Sequence, residues 1–389
     1  MRRFPIASKC AGRSAGCIRA AHQCDVAAAY SQNCLATPVF LRRIATAVPR
    51  HDIHNAFVDF AEDMLRDEGS RSLFRRMAAR SGIEHRYAAL QVAGEPDAQA
   101  FPAHDLYRLG SFPATGLRME LFKRFAPRLM RCALDRLRLQ PEERDRIRHV
   151  IVTSCTGMYA PGLDFEAMEH LRLASTTERT MIGFMGCYAA MNALKQARHI
   201  VRSEPGDSVL VVNLELCTLH MQETQDLGQV LSFLIFGDGC AASLVSAEPG
   251  GLCMDSFHAI GLEGTRDLIR WDTGDQGFDM VLSGQVPSEI YRALQAHRAD
   301  LLGNDAPELW AVHPGGRSVL DAVQDALQLP PGALAASREV LRQYGNMSSA
   351  TVMFVLERIL QEAVAGQRGM AMSFGPGLTA ETMRFHAAD

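Results

Sequence analysis

Short apolar runs at residues 150–154, 208–212, 240–245, 309–312 and 370–374 punctuate this chain, and segments of helical period lie between them. Each run is brief and continuous, which suits a strand buried on both faces. Helices are predicted at 117–138, 187–203, 287–301, 316–328 and 347–365. Pro205-Gly206-Asp207 supplies the turn chemistry between one such helix and the next strand. Alternation of this kind specifies an α/β fold with buried sheets. At 389 residues the chain can hold two domains or two similar halves, and Pro249-Gly250-Gly251 is its best internal break. The halves are then 37–250 and 251–389.

Composition removes several function classes. A hydrophobic content of 47% is that of an ordinary globular protein. A net charge of −4 gives no global basic field for nucleic acid. No apolar stretch reaches the ~18 residues that span a membrane, and the order of a signal peptide is missing, so the expected location is the cytoplasm. The ten cysteines are scattered, without CxxC or paired His/Cys spacing. They read as reduced thiols, and neither a structural zinc nor another metal is expected. Residues 1–36 stand apart: Arg2, Arg3, Lys9, Arg13 and Arg19 face only Asp25. They read as a disordered or mis-started extension, dispensable to the body, with a targeting peptide as the alternative. Their GxSxG match, Gly12 to Gly16, follows no strand and is rejected.

Chemistry concentrates at Gly183-Phe184-Met185-Gly186-Cys187-Tyr188. An apolar run ends there and a helical period begins, so Cys187 lies where a turn enters a helix. Unpaired N–H groups and the helix dipole then favour thiolate, and the predicted pKa falls below the ~8.5 of free cysteine. His313 ends a buried strand, where α/β folds collect their functional groups. Asn346 precedes a helix and, taken alone, reads as an N-cap. Phe236-Gly237-Asp238-Gly239 and Phe374-Gly375-Pro376-Gly377 are tight loops. Together these parts make coherent chemistry. A thiolate takes an acyl group from a thioester, and two neutral donors hold the oxyanion or the enolate left when a malonyl thioester loses CO2.

In these segments, with Tyr344-Gly345-Asn346-Met347-Ser348-Ser349-Ala350 and His313-Pro314-Gly315-Gly316, the chain from Thr37 to Phe385 resembles the type III polyketide synthases. These are the chalcone-synthase-like branch of the thiolase superfamily. The resemblance implies a five-layered αβαβα core of two similar halves and a homodimer. It implies acyl-CoA and malonyl-CoA substrates, with no cofactor, carrier protein or metal. It makes Cys187 the acyl-bearing nucleophile, His313 and Asn346 its partners, and Phe236 the gatekeeper. It assigns Arg76 and Arg80 to CoA phosphates, and Ser348 and Pro376 to the cavity wall. Cys217 and His220 replace cavity threonines of the plant enzymes, and Asp267 replaces a glycine. Cys155, Thr156 and the segment 271–278, which includes Phe278, look like the bacterial branch. Ala160 stands where plant enzymes carry a methionine that crosses the dimer. The implied product is a pyrone, resorcinol or phloroglucinol, built on a fatty acyl or malonyl starter. The alternatives are a ketoacyl synthase of the initiating type, a cysteine hydrolase with papain-like Cys, His, Asn order, and a catalytically silent acyl-CoA-binding protein.

Overall fold

The computed structural model describes residues 37–92, 100–303 and 307–389. The expectation for residues 1–36 therefore falls outside the described residues. Nine strands form one sheet: β1 Phe40–Ala47, β2 Ile147–Ser154, β3 Glu178–Gly183, β4 Ser208–Leu216, β5 Asp238–Ser246, β6 Gly251–Gly261, β7 Leu309–Val312, β8 Arg368–Gly375 and β9 Thr379–Ala388. Their order is β7-β8-β9-β6-β1-β5-β4-β2-β3.

The sheet is two similar pieces joined at a narrow seam. Only Phe40 and Leu41 of β1 pair with β6, opposite Cys253 and Leu252. On one side β2 runs parallel to β4, and β5 is antiparallel to both β4 and β1. On the other, β7 runs parallel to β8, and β9 is antiparallel to both β8 and β6. Each half thus repeats the same pairing pattern, with β3 added at one edge.

The longer helices complete the layers: α1 His54–Met64, α2 Glu68–Arg80, α3 Thr115–Leu137, α4 Leu163–Leu171, α5 Ala189–Ser203, α6 Leu227–Ile235, α7 Val286–Ala296, α8 Arg317–Leu327, α9 Ala335–Tyr344 and α10 Thr351–Glu362. Side chains along β4 show why its sequence is apolar without alternation. Leu210 and Val212 pack into the cluster containing α3, while Val209 and Val211 pack into the cluster containing α5 and α10. Successive side chains face opposite sides of a strand, so both sides of this one are core. A third cluster joins β7 and β8 to α7 and α8. The layers therefore read helix, sheet, helix, sheet, helix, with α5 and α10 in the middle. Burying each Val, Leu or Ile in such a layer is worth roughly 1.5–3 kcal/mol.

Candidate active site

The two central helices begin near one another, and each carries part of the site at its N-terminal end. Cys187 leaves β3 through Phe184 and Gly186, both with positive φ (55° and 68°), and enters a 3-10 turn, Gly186–Tyr188, ahead of α5. Glycine is required at 186 by packing as well as by φ. A Cβ there would lie 2.2 Å from Pro376 Cδ. A Cβ on Gly375 would lie 2.6 Å from the Tyr188 ring. The Gly375-Pro376-Gly377 loop is thus pressed against the cysteine turn, and Tyr188 Oη donates to Pro376 O at 3.2 Å.

Asn346 and Ser348 lie in the corresponding place ahead of α10. Asn346 Oδ1 accepts from Ser348 N at 2.8 Å and from Thr351 Oγ1 at 3.3 Å. The capping role and a role in chemistry are therefore compatible. The cap fixes the carbonyl end of the amide and leaves its Nδ2 facing Gly315 O at 3.5 Å and the Cys187 thiol. Ser348 Oγ lies 3.7 Å from Cys187 Sγ. His313 follows β7 directly and is 1% exposed. Neither of its ring nitrogens has a partner among the described residues.

All four residues line one cavity of about 320 Å³. Cys155, Thr156, Cys217, His220, Phe236 and Pro376 line it too. Exposed Val92 and His104 are also on its wall, so the cavity reaches solvent. Its neutral His220 has a fixed tautomer: Nε2–H donates to Thr156 O at 2.7 Å, and Nδ1 accepts from Phe278 N at 3.1 Å. Burial holds that imidazole down to about 3. Trp271 Nε1 donates to Cys155 O at 2.7 Å, which ties the 271–278 hairpin to the cavity floor.

Three sequence expectations are corrected. Asp267 lies on the surface beside Arg270 at 3.8 Å, with its side chain 83% exposed, so it does not line the cavity. Phe278 stacks behind His220, 4.3 Å between ring centroids, and supports the wall rather than forming it. Arg76 and Arg80, expected to meet CoA phosphates, are exposed on α2 outside the cavity lining, a position that does not contradict that expectation. The expected low pKa of Cys187 is reversed: its thiol is pushed up to about 11. The sulfur is partly accessible from the cavity, yet burial strips the water that would stabilise a thiolate. Burial also holds His313 down to about 3, so no imidazolium compensates. The turn position was read correctly, but desolvation outweighs the short helix-end effect. The pair is therefore thiol and neutral imidazole.

Two residues went unread in the sequence. Glu215 lies fully buried behind the cavity, accepting from Ser349 Oγ at 2.6 Å, Cys155 N at 2.9 Å and Thr156 Oγ1 at 2.8 Å. Burial pushes its carboxyl up to about 7. A carboxylate inside the apolar run that becomes β4 was the available signal. Arg86 is the second, a buried guanidinium on the cavity wall. Away from the cavity lining, Cys253, Asp255 and His386 on the paired strands β6 and β9 bring possible ligand atoms within 4.8 Å of one another.

Comparison with known proteins agrees with this layout. The family model for the N-terminal domain of chalcone and stilbene synthases matches residues 29–249, and the C-terminal model matches 262–388. An alpha-pyrone synthesis polyketide synthase-like protein, Pks18 of Mycobacterium tuberculosis, is 31% identical over 367 residues, covering 90% of this chain and 91% of its own. The crystal structure of PKS-I from the brown alga Ectocarpus siliculosus superposes with a TM-score of 0.80 at 31% identity, covering 90% and 98%. That of 1,3,6,8-tetrahydroxynaphthalene synthase from Streptomyces coelicolor, a bacterial type III polyketide synthase, gives 0.80 at 28%, covering 90% and 99%. With both halves matched and the layers shared, this chain belongs to the chalcone and stilbene synthase family: it is a type III polyketide synthase, an acyltransferase that joins CoA thioesters by Claisen condensation.

Proposed function

We propose that Cys187, His313 and Asn346 form the condensing centre. The observation that carries this reading is their convergence, from both halves of the chain, on one largely apolar cavity that reaches solvent. Cys187 Sγ attacks the thioester carbon of a starter acyl-CoA, His313 takes the thiol proton, and CoA leaves as its thiol. A malonyl-CoA then enters with its thioester oxygen against the His313 N–H and the Asn346 Nδ2–H. Loss of CO2 leaves an enolate on that oxygen, and the two donors stabilise it. The enolate carbon attacks the acyl-cysteine carbonyl, a C–C bond forms, and the Cys187 thiolate is released. Repetition and ring closure give a pyrone, resorcinol or phloroglucinol. No cofactor enters these steps.

Ile53, Phe57, Phe60, Leu90 and Phe233 on the same cavity wall support a fatty acyl starter. A pyrone product is supported by the likeness to the mycobacterial relative, whose name carries alpha-pyrone synthesis. Phe236 is the gate in this reading. Arg76 and Arg80 serve CoA phosphates at the rim. Support for that is Arg317, which opens α8 close to cavity-lining Gly315 and donates to Arg80 O at 3.3 Å. A homodimer belongs to the same reading, since β3 is an edge strand with Met181 43% exposed. The test is incubation with labelled malonyl-CoA and a panel of acyl-CoA starters, read by mass spectrometry. Ring products built on a fatty acyl starter support the proposal. CoA release without extension by any starter contradicts it.

A further inference from the structure

Arg86 is 1% exposed and among the largest fully buried side chains of the molecule. A guanidinium is costly to bury, so its contacts indicate what it is kept for. NH1 donates to Phe233 O at 3.0 Å and to Phe236 O at 2.7 Å, the carbonyls at the C-terminal end of α6. Nε donates to His54 Nδ1 at 3.1 Å, and the Phe57 ring lies 4.6 Å from the guanidinium carbon. A helix C-terminus offers unpaired carbonyls and partial negative charge, which suits a cation.

The aliphatic stem is equally informative. A Cβ on Gly345 would lie 2.8 Å from Arg86 Cγ, and one on Gly237 would lie 3.5 Å from Arg86 Cβ. These glycines adjoin Asn346 and Phe236. The two segments are themselves joined, since Asn346 N donates to Ile235 O at 2.8 Å and Gly237 N to Asn346 O at 3.0 Å. The glycines of the Phe-Gly-Asp-Gly and Tyr-Gly-Asn motifs therefore leave a slot, and the arginine stem occupies it.

We infer that Arg86 is a positioning residue that holds Phe236 and Asn346 together as one unit. This rests on the roles proposed above for those two residues. Its stem spaces the segments and its guanidinium anchors the backbone of the gate. Loosening it displaces the Asn346 amide from the enolate oxygen and opens the gate to water.

The test compares wild-type enzyme with Arg86→Lys and Arg86→Met, and with His54→Phe, which removes only the Nε acceptor. Thermal unfolding identifies the variants that fold. Malonyl-CoA decarboxylation, Cys187 acylation by intact mass, and C–C bonds formed per CO2 released are then measured. In a folded Arg86 variant, decarboxylation kcat falls about tenfold to a hundredfold, while KM stays within about twofold. Bonds formed per CO2 also fall several-fold, and acylation persists. His54→Phe shows the same pattern more weakly, and it carries the test if neither Arg86 variant folds. An unchanged kcat and unchanged coupling in the folded variants overturn the role. Inactive wild-type enzyme overturns the reading of the site, and this inference with it. Active wild type beside unaffected variants overturns only Arg86.

Discussion

At Cys187 two physical effects compete, and burial prevails. The turn into α5 favours a thiolate, but the apolar surroundings and a neutral His313 push the thiol up to about 11. Alkylation by iodoacetamide in the empty enzyme should therefore keep accelerating above pH 9, with a midpoint near 11. A plateau below pH 8.5 would restore the thiolate reading. In the proposed reaction the thiol becomes a nucleophile as His313 takes its proton during attack on the thioester, not before. Glu215 offers a second residue-scale prediction. Its folded carboxyl, pushed up to about 7, lies above the usual carboxylate range, so the stability it lends is full at low pH and lost as pH rises toward 7. Glu215→Gln removes that dependence. Its stability relative to wild type should improve between pH 5 and pH 8, by at most about 3 kcal/mol. Urea unfolding at the two pH values checks this, and a constant difference would mean the carboxyl does not titrate there. The proposed trio of Cys187, His313 and Asn346 stood out in the sequence because each lies in a short punctuated motif. Glu215 was hidden because its three partners come from residues remote in sequence, and Arg86 because its targets are backbone carbonyls.

At the scale of elements, the buried strands were the most legible. The runs at 208–212 and 240–245 lie inside β4 and β5, and that at 309–312 coincides with β7. Strands β6 and β9 escaped the reading. Their burial is mixed along much of their length, so no continuous apolar run announces them. The predicted helix at 287–301 is two, Val286–Ala296 and Arg298–Leu302, because His297 breaks helical geometry at φ −103° and ψ 11°. The Gly-Pro-Gly loop illustrates what spacing alone leaves out. The sequence announces a rigid turn there, and the structure reveals what that turn presses on, the cysteine turn. Gly186→Ala should accordingly cost about 1–3 kcal/mol of stability through its φ of 68° and the clash with Pro376, and should slow acylation of Cys187. Normal unfolding together with normal acylation would show that the loop yields freely.

The whole molecule explains why one half is not enough. Each half repeats one pairing pattern and sends one central helix toward the same cavity. The N-terminal half contributes Cys187, and the C-terminal half contributes His313 and Asn346. A composite site of this kind is not visible in periodicity, which reports each element separately. It became legible through the joint order of the motifs, while Asp267 and Phe278 show the limit of that approach. Sequence position could not say which side of a loop or ring faces the cavity.

The most direct test follows the acyl group itself. Wild-type enzyme and Cys187→Ala, each given a long-chain acyl-CoA and then malonyl-CoA, are compared by peptide mapping and product mass. The account predicts a single acyl adduct on the peptide containing Cys187, chased into extended product by malonyl-CoA. It predicts no adduct and no extension in Cys187→Ala, with malonyl-CoA decarboxylation retained through His313 and Asn346. Extension by Cys187→Ala, or a productive adduct on Cys155 or Cys217 instead, would contradict it.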